Sequence, residues 1–156
     1  KAGAEIIVLA SNTMHKLVDN VMLGIDLPLV HIGTATAQAI LKNNCSKPAF
    51  LATKFTMEES FYVKILKENS IQPMIPNSKD RVLINQIIFS ELCRNKIKPR
   101  SEKIYLKIVK NLQQAGADSV ILGCTEICLL LNQGNTGLPV FDTTLIHCKA
   151  ALKMAI

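Results

Sequence analysis

Aromatic side chains are scarce in this chain of 156 residues, 4% of the total with no tryptophan, and no apolar run approaches membrane-helix length. A spanning helix needs roughly 20 such residues, so no membrane partner is expected. The opening Lys1-Ala2-Gly3-Ala4 lacks the charged, apolar and cleavage regions of a secretory leader, and a cytoplasmic location is the resulting expectation. The five cysteines (Cys45, Cys93, Cys124, Cys128, Cys148) are odd in number and match neither zinc-finger nor Cys-x-x-Cys spacing. That argues against a disulfide framework and against a structural metal; they read as reduced thiols, most of them core. Lysine and arginine outnumber aspartate and glutamate 18 to 12, a net charge of +6, but the basic residues are scattered through helical stretches without interleaved aromatics on which bases could stack. The charge reads as a solvated basic surface with no nucleic-acid partner, at most helping to draw in an anionic substrate.

What the chain does have is one strand-to-turn pattern twice. Gly3-Ala4-Glu5-Ile6-Ile7-Val8-Leu9-Ala10-Ser11-Asn12-Thr13 aligns without a gap on Gly116-Ala117-Asp118-Ser119-Val120-Ile121-Leu122-Gly123-Cys124-Thr125-Glu126. Each copy is a continuous apolar run of the fully buried, parallel-strand type that stops at a small residue and then presents a polar side chain, Ser11 or Cys124. In open α/β sheets ligands sit at the carboxyl ends of the strands, so two related half-sites facing one another are expected.

Strand-length apolar runs alternate with helical periodicity along the chain. Strands are expected at Ile6–Leu9, Leu29–Ile32, Pro48–Ala52, in the second copy of the repeat before Cys124, and at Pro139–Phe141, with a weak one at Ile71–Ile75 broken by Pro73. Helices are expected at Met14–Val21, Ala35–Leu41, Met57–Lys67, Asp80–Cys93, Ser101–Ala115 and Glu126–Leu131, with a closing helix to Ile156. Gly116 stands where a helix C-cap belongs. This order implies an α/β fold of parallel sheets with right-handed crossovers. Nothing upstream supplies neighbours to the buried Ile6–Leu9 strand, so an N-terminal portion of its domain is expected to be missing from the chain, and the Pro139–Phe141 strand is expected to complete that sheet in part.

Ala10-Ser11-Asn12-Thr13-Met14-His15-Lys16 and Leu122-Gly123-Cys124-Thr125-Glu126-Ile127 resemble the paired signatures of the aspartate/glutamate racemase family, a Cys-Asn-Thr segment and a Gly-Cys-Thr-Glu segment, and Leu51-Ala52-Thr53-Lys54-Phe55-Thr56 resembles its Thr-x-x-Thr turn. The resemblance runs in order over essentially the whole chain. It implies two similar parallel-sheet α/β domains with the active site in the cleft between them: 1–28 plus 139–156 in the first, 29–131 in the second, 132–138 as linker. It further implies a cofactor-independent racemase, with no metal, acting on a small acidic amino acid, aspartate or glutamate. Two bases on opposite faces of the substrate carbon then solve the stereochemistry, and each thiol needs its pKa lowered by a helix start and nearby donors. By this likeness Cys124 and Ser11 are the catalytic positions, and Asn12, Thr13, Thr53, Thr56, Thr125 and Glu126 bind substrate. A homodimer is common in the family, though no sequence feature here demonstrates one.

Ser11 departs from the pattern, since it stands where the family carries its first cysteine. A serine hydroxyl is far less acidic than a thiol, whose ordinary pKa is about 8.5. Three accounts are open: a racemase biased toward one enantiomer, a single-cysteine decarboxylase or isomerase of the same superfamily, or a serine engineered in place of a native cysteine. A non-catalytic relative that binds an acidic metabolite is the alternative of a different class. Among the remaining candidates, Cys45, Cys93, Cys128 and Cys148 read as core or surface thiols and His147 as structural. His15 reads either as orienting the Ser11 region or as making a local hydrogen bond, and His31 as a strand-end residue that could face the cleft. Thr53 and Thr56 also fit a simple helix cap.

Overall fold

The computed structural model describes residues 3–156; Lys1 and Ala2, read above as opening the first lobe, lie outside the described residues. The chain forms two parallel sheets. Strands β1 (Ile7–Val8) and β2 (Leu29–Val30) pair in the smaller, with Ile7 opposite Leu29 and Val8 opposite Val30. Strands β3 (Pro48–Ala52), β4 (Ser119–Gly123) and β5 (Val140–Asp142) form the larger in the order β3-β4-β5, with Ala52 opposite Gly123 and Leu122 opposite Asp142.

Every residue of β3 and β4 is buried, as the unbroken apolar runs require. Phe50 stacks on Tyr62 with ring centroids 5.0 Å apart, and Tyr62 gives its hydroxyl proton to Thr36 at 3.1 Å, so a buried phenol finds the acceptor it needs. At the start of the sheet the Asp118 carboxylate accepts the backbone N–H groups of Ser46 and Lys47 at 2.7 and 2.8 Å, stapling the loop before β3 to β4.

The helices are α1 (Val18–Val21), α2 (Ile32–Lys42), α3 (Lys54–Glu58), α4 (Ser60–Glu68), α5 (Ser78–Ser90), α6 (Pro99–Gln114) and α7 (Thr143–Ala155). Helix α2 packs against α4 and α7, while α5 and α6 pack on each other and on β3. None of the described helices is long and apolar enough to cross a membrane.

Several elements differ from the sequence expectation. The Pro139–Phe141 run forms β5 beside β4, and the partner of β1 is β2, so in each case a strand pairs with its neighbour in sequence. The Ile71–Ile75 stretch lies along β3 through Phe50 N–H to Met74 O at 2.9 Å and Met74 N–H to Pro48 O at 2.8 Å, yet contributes only an isolated bridge, because Pro73 has no N–H to extend the ladder. The Met57–Lys67 helix is two helices, α3 and α4, separated by Glu59 in an extended conformation (φ −82°, ψ 149°). Thr53 starts α3 early by accepting the Thr56 N–H on its hydroxyl at 3.3 Å. After β1 the chain makes a 3-10 turn over Thr13–Leu17 before α1, and after β4 only a three-residue 3-10 turn, Ile127–Leu129, where a helix over Glu126–Leu131 was expected.

Candidate active site

Two turns, one after β1 and one after β4, carry the site. Gly123 closes β4 against β3 so tightly that a Cβ there would stand 2.7 Å from a Phe50 ring carbon and 3.1 Å from the Leu51 carbonyl oxygen. The small residue at the strand end is therefore a packing requirement, and it sets Cys124 next to Thr53, which follows the paired Ala52. Opposite, the β1 turn presents Ser11, Asn12 and Thr13. Asn12 is 6% exposed and ties the two half-sites together: its Nδ2 donates to Thr143 Oγ1 at 3.0 Å, and that hydroxyl donates to the Leu122 carbonyl at 2.8 Å. Its Oδ1, also buried, has no hydrogen-bond partner among the described residues. An amide oxygen left so is costly unless something else donates to it.

Ser11, Asn12, Thr13, Thr53, Cys124, Thr125 and Glu126 line one cavity of about 210 Å³. The eighth residue expected from the sequence, Thr56, does not reach it. It is fully buried behind the wall, in a chain of hydroxyls running from Thr13 through Thr56 to Thr53 at 2.8 and 2.9 Å. Ala10 and Gly123 from the two strand ends, and Ile88, Phe89 and Cys93 from α5 and the turn after it, complete the lining. Cys93 was read as a core or surface thiol and stands instead in the cavity wall; nothing in its spacing could have said so. The other cysteine near this turn, Cys128, is exposed and donates to the Thr125 carbonyl at 2.8 Å, a local contact outside the lining.

The electrostatics centre on Glu126. Its Oε2 accepts from the Cys124 thiol at 2.9 Å and from the Thr125 hydroxyl at 2.7 Å. Burial works to raise the Glu126 pKa, but the hydrogen bonds from Cys124 and Thr125 outweigh it and hold the carboxyl below its ordinary range. The thiol responds in the opposite sense: burial, reinforced by the hydrogen bond to the Glu126 carboxylate, pushes Cys124 up to about 12. This corrects the expectation of a thiol acidified by a helix start. A three-residue 3-10 turn has almost no dipole to offer, and the neighbour that matters is an anion. Cys93 is also raised, by burial and then by Glu126.

Behind Ser11, the His15 imidazole bonds to the Ser11 carbonyl oxygen at 2.7 Å through Nδ1. The Ser11 hydroxyl oxygen accepts the Met14 N–H at 3.3 Å, which leaves its proton free to point into the cavity. Among the described residues no group of three or more His, Cys, Asp or Glu side chains is placed to hold a metal ion. Larger grooves, such as one of about 490 Å³ between β2, α2 and α7, contain no thiol beside a carboxylate.

The family model described as Asp/Glu/Hydantoin racemase matches residues 1–151. A protein from Yersinia pestis provisionally named an Asp/Glu racemase is 42% identical, with a TM-score of 0.92 over 99% of this chain and 67% of that one. An aspartate racemase homologue from Pyrococcus horikoshii is 37% identical, with a TM-score of 0.90 over 99% of this chain and 68% of that one. The broad specificity amino-acid racemase RacX of Bacillus subtilis is 24% identical over 97% of this chain and 65% of its own length. The chain thus spans about two thirds of the relatives it matches.

Proposed function

We propose, on the premise that this chain belongs to the Asp/Glu/Hydantoin racemase family, that it removes and returns the α-proton of a free amino acid in the cavity between Ser11 and Cys124, needing no pyridoxal group. The observation that carries the reading is the pairing of a thiol with an ionised carboxylate, Cys124 with Glu126, across a small cavity from the equivalent turn of the repeat.

The walls suit an amino acid at both of its charged ends. Hydroxyl and backbone donors at Thr13, Thr53 and Thr125 can bind a carboxylate. The Glu126 carboxylate is an acceptor for an ammonium group. In the empty cavity the proton rests on Cys124 sulfur. An ammonium bound beside Glu126 offsets the charge that holds it there, so substrate itself brings the thiol toward its basic form. The sulfur then takes the α-proton on its own face, and the Ser11 hydroxyl stands on the other. Because a hydroxyl is the weaker proton carrier, exchange on the Cys124 face outruns inversion. Aspartate and glutamate are the substrates this reading favours, after the named relatives and the donor-rich walls.

The test is nuclear magnetic resonance of L- and D-aspartate and of L- and D-glutamate in deuterated water. Loss of the α-proton signal is expected for one enantiomer faster than its conversion to the other. Cys124→Ala abolishes both, and Ser11→Cys speeds inversion relative to exchange. No exchange from any of the four, by wild type or by Ser11→Cys, removes the racemase reading. Tight calorimetric binding of the same amino acids without exchange leaves a binding protein.

A further inference from the structure

Ser11 has no buried side-chain anchor of its own. Its turn is held from behind by a residue that the reaction above does not use. We propose that His15 is a positioning residue for the Ser11 face of the site: it fixes the Ser11 turn by tying the Ser11 carbonyl to the first amide of α2.

His15 is 2% exposed. Its Nε2 lies 3.2 Å from the Ile32 backbone nitrogen, and an amide N–H can only donate, so Nε2 is an acceptor. The ring proton is therefore on Nδ1, where it is donated to the Ser11 carbonyl oxygen at 2.7 Å. One imidazole tautomer satisfies two backbone groups that belong to different elements. An imidazolium could not, since its Nε2–H would face the Ile32 N–H, donor against donor, and break that bond.

The surroundings keep the ring in that form. From the start of α2 the His31 ring packs edge-on at 4.5 Å between centroids, and from α7 the His147 ring does so at 5.6 Å. His31 Nδ1 accepts from the Gly33 N–H at 3.1 Å, and His147 Nε2 bonds the Val30 carbonyl at 2.6 Å, so these rings too are held by backbone groups. The remaining charged groups nearby are Asp19 of α1, which acts on His31, and Lys16 on the same turn, which is paired with Glu59 at 3.0 Å. Burial lowers the His15 pKa, the Ser11 carbonyl pulls against it, and His147 adds a lesser lowering. Phe at position 15 keeps a ring in the pocket and loses both bonds. Asn keeps a donor near the Nδ1 position.

The inference rests on the proposed roles of Ser11 and Cys124, and two readouts separate its failure from theirs. The first is the ratio of inversion to α-proton exchange, in which any loss of folded protein cancels. His15→Phe is expected to lower that ratio about tenfold, the scale on which small misplacements act, and His15→Asn to restore most of it. The second needs no turnover. In a Ser11→Cys background the alkylation rate of the introduced thiol, followed by peptide mass spectrometry, is expected to change several-fold on adding His15→Phe and to return with His15→Asn, while Cys124 alkylation stays put. If the introduced thiol reacts alike in all three backgrounds, or if exchange and inversion fall together, His15 does not position Ser11. Absence of any exchange in wild type removes the racemase reading instead, and the alkylation comparison then decides the role of His15.

Discussion

Burial and a single carboxylate together hold the proton on the thiol. Glu126 sits two residues after Cys124 and accepts its proton at 2.9 Å, so the anion stabilises S–H and opposes S⁻, on top of a larger effect of burial. Removing the charge while keeping the shape should therefore free the thiolate in part and no more. Glu126→Gln is expected to raise the alkylation rate of Cys124 at pH 8 by about tenfold, a change worth about 1.4 kcal/mol, and still to leave it slower than an exposed cysteine. Peptide mass spectrometry distinguishes Cys124 from Cys93, which shares the cavity, and from the exposed Cys128. The same variant should lose α-proton exchange, because the partner that holds the thiol proton and meets the ammonium is gone. An unchanged alkylation rate places the control of Cys124 in burial alone.

Among the elements, the end of β4 is where sequence pattern and chemistry meet. The repeat made both half-sites legible: an apolar run marks the strand, a small residue marks its close, and the polar residue next in line falls at the carboxyl end where it lines the cavity, but only β4 is buried throughout, while β1 is two residues long with Val8 exposed, against the expectation of a fully buried strand. Gly123 shows why the small residue is there, with Phe50 and Leu51 already inside contact distance of any side chain. Gly123→Ala is thus expected to cost on the order of 1–3 kcal/mol, as overpacking does, and to displace Cys124 with it. Urea unfolding and Cys124 alkylation measured on one preparation check both halves, and a variant of wild-type stability means that Phe50 yields. The parts that were not legible arrive through distance in sequence. Asn12 meets Thr143 across 131 positions, and Cys93 enters because α5 packs on β3 and delivers the turn after it to the cavity mouth. The short 3-10 turns after both strands were also hidden, since their apolar residues have helical spacing but too few neighbours to extend a helix.

For the whole molecule, two of the three histidines join segments that no strand pairing connects. His15 links the β1 turn to α2, and His147 links α7 to β2. The titration of His15 and His31 gives stability an acid dependence of definite sign. Burial first, then His15 and His147, lowers His31 to about 4, against a weaker opposing effect of Asp19, and burial lowers His15 as well. A histidine whose folded pKa lies below its unfolded value of about 6.5 takes up more protons when unfolded, so stability is complete above pH 6.5 and declines as pH falls from there toward 4. The carboxylates held low in the fold, Asp118 and Glu126, begin to withdraw their contribution only near their unfolded values, below about pH 5. Between pH 6.5 and 5 the loss therefore belongs to the histidines. His31→Asn keeps an N-cap acceptor for the Gly33 N–H and removes the titrating ring. Urea midpoints at pH 7.5, 6 and 5 should fall steadily in wild type and less steeply in His31→Asn. Parallel slopes for the two proteins mean that protons are not taken up at His31 on unfolding.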